Sequence, residues 1–343
     1  MGFARSGATL MQALGLKASL RALCLPWVFV LILSAHSFAQ PVLKKIRLGN
    51  SSTNVGFLPL YAAYHKGFYR DEGIDLEIIS MSATLASTAV LMGELDYNAA
   101  STGVIVAAVR GQPMKMLIFT VARPLSFLMS KKDLKEPRQL KGKKIAGSSP
   151  GGTATLLAEK ALRHFGLEPG RDVAVLPMAG TNAARLAVLE SGVVDASLVS
   201  VPENIYALEK GYNELIFLGD IVEFPTTGFG TSEKKIHESP AEILKMIRAT
   251  LRGLLFITDK SNRDGVLDII MKQWKVADRK MASEIFNHVS RVLTKDAKVS
   301  PEGIRLHIDL ARETAKVSRP ATVAQVVDFT FLDQVRKDLG IAR

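Results

Sequence analysis

The sequence is almost without cysteine: its single one, Cys24, lies in an apolar stretch near the N-terminus. Beyond residue 39 there is no thiol, which excludes disulfides, a thiolate nucleophile and cysteine metal sites from the rest of the chain. The small residue expected just before a lipidated cysteine is also missing, because Leu23 stands there. The histidines (His36, His65, His164, His237, His288 and His307) include no pair with H-x-x-x-H ligand spacing. His65 reads as a surface or half-buried helix residue. No Gly-Lys-Ser/Thr follows the glycine-rich loop at 147–152, so it is not a Walker loop, and it is not a G-x-G-x-x-G fingerprint either. The net charge is +11, but the basic residues are scattered and do not interleave with aromatics along a stripe. Nucleic acid is therefore not an expected partner, and the charge reads as solvation or weak attraction of anionic solutes.

What is present begins with a targeting signal. Residues 1–39 carry Arg5, Lys17 and Arg21 and no acid, then an apolar run from Ala22 to Ser34, then Ser37-Phe38-Ala39 before Gln40. A positive n-region, a short apolar h-region and small residues at −3 and −1 form a cleavable secretory signal. The apolar run is short for a membrane span, which leaves an uncleaved anchor as the alternative. Met11 is an alternative start. Removing the three charges of this segment leaves about +8.

The rest alternates strand and helix signals at α/β intervals. Lys45-Ile46-Arg47-Leu48-Gly49 is a strand, Asn50 to Asn54 a polar loop, and Pro59 suits the first turn of a helix. Gly67 suits the position just past that helix, where a positive φ is needed. A second strand follows from Ile74, a helix over Ala83–Met92, a strand over Leu95–Ala99, a helix to Arg110 and a strand over Met114–Phe119. Around Leu125–Ser130 the chain changes domain and the rhythm restarts. Lys144–Gly147 is a strand and Ala154–Phe165 a helix; Val173–Leu176 is a strand and Thr181–Ser191 a helix. Ala196–Val199 is a strand, Glu203–Lys210 a helix and Leu215–Leu218 a strand. Phe224–Gly230 is the return crossover. The remainder is mostly helical, expected to pack back on the first lobe. Ser239-Pro240-Ala241-Glu242 predicts a capping box, and Ser300-Pro301-Glu302 opens another helix. One echo links the two halves: Gly93-Glu94-Leu95-Asp96 leads to Ser101, and Gly192-Val193-Val194-Asp195 leads to Ser200.

The run Pro59-Leu60-Tyr61-Ala62-Ala63-Tyr64-His65-Lys66-Gly67-Phe68-Tyr69-Arg70-Asp71-Glu72-Gly73-Ile74-Asp75-Leu76 resembles the first motif of periplasmic solute-binding proteins of ABC importers. The branch is the one that takes in nitrate-, taurine- and aliphatic-sulfonate-binding proteins and the thiamine-precursor (hydroxymethylpyrimidine) proteins. The resemblance extends from about Lys45 to about Thr231 and covers both Gly-x-x-Asp steps. It implies an α/β fold of the type II periplasmic binding class: two α/β lobes with a ligand cleft between them and extra C-terminal helices. The implied division is 1–39 signal peptide, 40–127 with 231–343 as a discontinuous first lobe, and 128–230 as the second lobe. Related pyrimidine synthases use a histidine and a cysteine-rich iron motif; with no cysteine after residue 39, that enzyme reading largely fails.

Candidate ligand contacts are the polar loop ends. In the first lobe these are Ser52, Thr53, Asn54 and Phe57, with Ser101 and Thr102 before the third helix. For each hydroxyl or amide, helix capping is the alternative role. Arg123 and Phe127 lie near the first crossover. Arg123 either pairs with a carboxylate or sulfonate of a ligand or holds the hinge by an ion pair. In the second lobe, Ser149, Gly151, Gly152 and Thr153 belong to a glycine-rich loop at a helix start, where backbone N–H groups favour an incoming oxygen or anion. The alternative is a turn with Thr153 as N-cap. Ser200 and Glu203 open the following helix, where Glu203 is otherwise a first-turn acid. The reading is a monomeric periplasmic protein, not an enzyme and without cofactor, that hands a small organic or anionic solute to a membrane permease. The competing classes are an enzyme on the same scaffold and a solute-binding sensor.

Overall fold

The computed structural model describes residues 42–51, 54–148, 153–178 and 181–341. All elements below belong to the unit Leu43–Arg343; of the unit Met1–Val42 only Val42 is described. The expected signal segment 1–39 and the site residues Ser52, Thr53, Ser149, Gly151 and Gly152 lie outside the described residues.

Strand β1 (Lys44–Asn50) leads to α1 (Leu58–His65), with Pro59 in its first turn, where a missing N–H leaves nothing unpaired. Gly67 adopts φ +77°, and a short α2 (Phe68–Asp71) and Gly73, also at +77°, turn the chain into β2 (Ile74–Ser80). Then come α3 (Ala83–Met92), β3 (Tyr97–Ala100), α4 (Ser101–Val109) and β4 (Met114–Phe119). After the first crossover, β5 (Phe127–Ser130), β6 (Lys144–Ala146), α5 (Thr153–His164), β7 (Ala174–Leu176), α6 (Asn182–Glu190), β8 (Ala196–Val199), α7 (Glu203–Glu209) and β9 (Asn213–Phe217) build a second layer. Strand β10 (Thr227–Ser232) returns to the first.

The two sheets have the same plan. The first is ordered β2-β1-β3-β10-β4 and the second β7-β6-β8-β5-β9. In each, parallel strands accept one antiparallel strand delivered by a crossover: β10 between β3 and β4, and β5 between β8 and β9. Each crossover therefore ends in a strand laid between two strands of the other sheet. Gly228 and Gly230 permit β10 to lie tightly on β4, since a Cβ at either would collide with the carbonyl of Ile118 or Lys115.

The C-terminal helices are α8 (Glu233–Glu238), α9 (Pro240–Thr258), α10 (Arg263–Trp274), α11 (Arg279–Ser290), α12 (Pro301–Ala315), α13 (Val323–Val326) and α14 (Thr330–Asp338). Helix α9 packs on α1 as expected, close enough that a Cβ on Gly253 would fall 2.8 Å from the Ala63 Cβ. The expectation that these helices stay on the first lobe holds only in part. The His288 ring of α11 meets the Phe127 ring edge-on at 5.0 Å, and Arg291 lies over the Phe217 ring at 4.1 Å and pairs with Asp220 at 3.1 Å. Leu306 and Leu310 of α12 also pack on the second lobe's core.

The capping box expected at Ser239 does not form. Ser239 makes no side-chain cap, and Glu242 is drawn inward instead. Its carboxylate, 7% exposed as a residue, accepts from the Tyr97 hydroxyl at 2.8 Å and pairs with Lys44 at 2.5 Å and Lys235 at 2.9 Å. Tertiary partners outcompete a local cap because three donors replace one. Ser300, by contrast, caps α12 by accepting from the Gly303 N–H at 3.0 Å.

Candidate functional site

A cavity of about 370 Å³ opens between the lobes, at the carboxyl ends of parallel strands where open α/β folds take ligands. The loop after β1 contributes Ser51, Asn54, Gly56 and Phe57. The β3–α4 junction contributes Ala100, Ser101 and Thr102. Thr153 and Leu157 of α5 face them from the second lobe, and Leu125, Ser126, Thr226 and Thr227 of the crossovers close the back. None of these side chains is ionisable.

The polar groups here are already partly committed. Asn54 Oδ1 accepts the Gly56 N–H at 2.7 Å and holds the turn before α1. The Ser101 hydroxyl donates to the Thr226 carbonyl, and the Ser200 hydroxyl donates to the Leu125 carbonyl. The repeated serines therefore do the same thing in both lobes: each ties a strand's carboxyl end to a crossover. Thr227 Oγ1 donates to the Gly56 carbonyl at 3.1 Å and meets Thr120 Oγ1 at 3.0 Å. Ser148 donates its N–H to Thr155 Oγ1 at 2.8 Å, and Thr155 Oγ1 donates to the Ser148 carbonyl at 3.1 Å, which pins the exit of β6 to the start of α5.

The site residues expected from sequence are thus only partly brought together. Asn54, Phe57, Ser101, Thr102 and Thr153 share the cavity. Thr153 is the first residue of α5 and not its cap. Phe127 is fully buried, stacked on Phe217 at 4.8 Å, and belongs to the core and not to the cavity wall. Arg123 pairs with Glu223 at 3.5 Å and donates to the Gly219 carbonyl at 3.4 Å, which favours the hinge ion pair over a ligand contact. Ser200 is buried on the crossover. Glu203 is partly buried; burial pushes its carboxyl up, against the opposing effects of its own backbone N–H and of Arg185. Arg185 donates from Nε to the Leu198 carbonyl at 2.8 Å. Sequence reading missed Thr226, Thr227, Leu125 and Ser126, although all four fall in the segments recognised as crossovers.

Residues Gly147-Ser148-Ser149-Pro150-Gly151 also spell Gly-x-Ser-x-Gly between a strand and a helix. An acyl-transfer site needs a histidine base beside that serine, and no histidine lines the cavity among the described residues. Nor do the described residues hold a cluster of three or more His, Cys, Asp or Glu side chains able to bind a metal. A second groove, about 440 Å³, runs between α5 and α12 past Lys160, Arg163, His164 and Glu302. It lies away from the strand ends, and Arg163 in it is already paired with Glu159 at 3.7 Å.

A family model described as NMT1/THI5 like matches residues 54–263. The chain is 28% identical over 228 residues to the riboflavin-binding protein RibY of Chloroflexus aurantiacus, a match that spans 63% of each chain. Among solved structures it is similar to a putative periplasmic sulfonate-binding protein SsuA of Methylobacillus flagellatus, with 17% identity and a TM-score of 0.72, covering 88% of this chain and 96% of that one. It is also similar to the desulfurization enzyme DSZB, with 15% identity and a TM-score of 0.64, covering 86% of this chain and 99% of that one. The last two show the fold: two α/β lobes, a scaffold that serves binding proteins and an enzyme alike. Among the described residues, no helix is long and apolar enough to cross a membrane.

Proposed function

The chain belongs to the NMT1/THI5-like family, and from that premise we propose that it is the extracytoplasmic solute-binding component of an ABC importer. It captures a small solute between its lobes and delivers it to the membrane permease. The observation that carries this reading is the interlobe cavity, lined from both lobes and from both crossovers. Such a site can bury a ligand by closing about the crossovers, a mode open to two-lobed binding proteins. The sulfonate- and riboflavin-binding roles named for the similar proteins support the same class.

In this reading the lobes are 40–127 with 231–343, and 128–230, except that β5 begins at Phe127 in the second sheet and β10 at Thr227 in the first, and the leader up to residue 39 directs a monomer to the periplasm. Phe57 supplies an apolar wall. Thr102, Thr153 and the adjoining Ser52, Thr53, Ser149, Gly151 and Gly152 orient the solute. No covalent step is required of any of them.

Calorimetry with riboflavin, hydroxymethylpyrimidine, ethanesulfonate and nitrate tests the proposal. Saturable binding of one compound per chain, with that compound recovered unchanged after long incubation, supports it. Conversion of the bound compound would place the chain with the enzymes on this scaffold, and binding of none of them would count against capture of this solute range.

A further inference from the structure

We infer that the cavity is built for an uncharged organic solute that brings both hydrogen-bond donors and acceptors, and not for an oxyanion. The inference rests on the solute-binding reading above and concerns which chemistry the site selects.

The first ground is charge. No described lining residue is ionisable, and the adjoining stretches 52–53 and 149–152 contain only Ser, Thr, Pro and Gly. The nearest ionisable groups on the crossovers, Arg123 and Glu223, pair with each other at 3.5 Å. On the second lobe, burial disfavours the charges of Arg185 and Glu203, and each favours the charged form of the other. An anion closed into this cavity would find no countercharge, and a helix terminus offsets only a small part of the cost of taking an unpaired anion out of water.

The second ground is the hydroxyls that reach the space. Ser101 and Thr227, only 0% and 6% exposed, spend their protons on the Thr226 and Gly56 carbonyls and belong to the framework. Thr102, Ser126 and Thr153 line the cavity and are only partly buried, and a hydroxyl has one proton to give and two lone pairs. A nitrate or sulfonate, which only accepts, leaves those lone pairs unused. A solute with N–H or O–H groups engages them. Its carbonyl or ring-nitrogen acceptors suit the start of α4, which has no side-chain cap.

The third ground is size and wall. About 370 Å³ bounded by Phe57, Val121, Pro124, Leu125 and Leu157 suits a compact organic body. An amide-bearing heteroaromatic ring meets all three conditions.

The test uses matched pairs that differ in charge: riboflavin and flavin mononucleotide, nicotinamide and nicotinate, benzenesulfonamide and benzenesulfonate. Each is titrated by calorimetry into the exported chain at about 20 mM and about 500 mM salt, a range over which screening of exposed charges changes strongly. The expected result is that the uncharged member of any binding pair is favoured by at least about tenfold, with affinity nearly indifferent to salt. An anionic member bound as tightly as its partner, or tight binding of nitrate or ethanesulfonate, overturns the inference and leaves the solute-binding reading standing. Failure of every uncharged member to bind also overturns it. Chemical conversion of a bound member instead sinks the reading on which the inference rests.

Discussion

Asp96 accepts the backbone N–H of Arg47 on Oδ2 at 2.8 Å, and Asp195 accepts that of Lys144 at 2.9 Å. Each aspartate also returns its own N–H to the carbonyl of the same residue, at 2.9 and 2.8 Å. Each carboxylate holds a lysine as well, Lys235 at 2.6 Å and Lys131 at 2.8 Å. The Gly-x-x-Asp step is thus one device used in both lobes to clamp the third parallel strand's entry against the first strand.

Replacing Asp195 with Ala removes an acceptor for a strand N–H and a partner for Lys131. A loss of about 1–3 kcal/mol in urea unfolding is expected, the range for stranding such a donor, with affinity for a bound solute unchanged. The same substitution at Asp96 removes the acceptor of the Arg47 N–H and one of the two carboxylates on Lys235, which keeps Glu242, and should cost about as much.

Much of this was legible beforehand. Gly67, Gly93 and Gly192 end helices with positive φ, a requirement written in local sequence. The alternation of short apolar runs and helical periods predicted both sheets. What escaped was long-range choice of partner. A serine at a strand end reads alike whether it caps a helix, meets a ligand or ties a crossover, and the carbonyls that Ser101 and Ser200 chose lie 125 and 75 residues away. Phe127 has the pattern of a buried strand residue, but nothing local says that Phe217 and His288 rather than solute will cover its ring. Glu242 sits at ideal capping distance from Ser239 and was claimed by Lys44, Lys235 and Tyr97.

That last contest predicts a contrast. Glu242→Ala leaves the buried Tyr97 hydroxyl without its acceptor and takes one of two carboxylates from Lys235, which keeps Asp96, and should destabilise by about 1–3 kcal/mol. Ser239→Ala, at a cap that is not used, should stay within about 0.5 kcal/mol. Chemical denaturation of the two variants side by side checks this; equal losses would contradict the inward role of Glu242.

Acid sensitivity should trace to His307. It is buried, its Nδ1 lies 2.8 Å from the Pro225 carbonyl, and its ring packs on Phe224 at 4.1 Å. Burial pushes its pKa down to about 3, against the opposing effect of the Pro225 carbonyl. A lowered folded-state pKa means that the unfolded chain gains a proton the folded chain refuses. Stability is therefore full above the ordinary histidine value near 6.5 and falls toward pH 3, with a limiting slope of about 1.4 kcal/mol per pH unit. His288, also pushed down, first by burial and then by Arg291, acts in the same direction. His307→Gln should flatten the stability profile between pH 6.5 and 5; an unchanged slope would assign the effect elsewhere.

Thr102 lines the cavity from the first turn of α4 and is only partly buried. Thr102→Trp should fill the cavity, weaken solute binding by at least about tenfold, or roughly 1.4 kcal/mol, and leave the melting temperature little changed. Gly152→Val should weaken binding similarly if the loop before α5 offers its N–H groups to the solute. Calorimetry on the compound that binds the parent chain, with a thermal melt of each variant, separates lost binding from lost fold.

The most direct test of capture between two lobes is small-angle scattering with and without the solute, at a concentration shown by calorimetry to saturate the site. The radius of gyration should fall on saturation of the parent chain and stay constant for Thr102→Trp under the same conditions. An unchanged radius in the parent at verified saturation would contradict closure of the lobes on a solute.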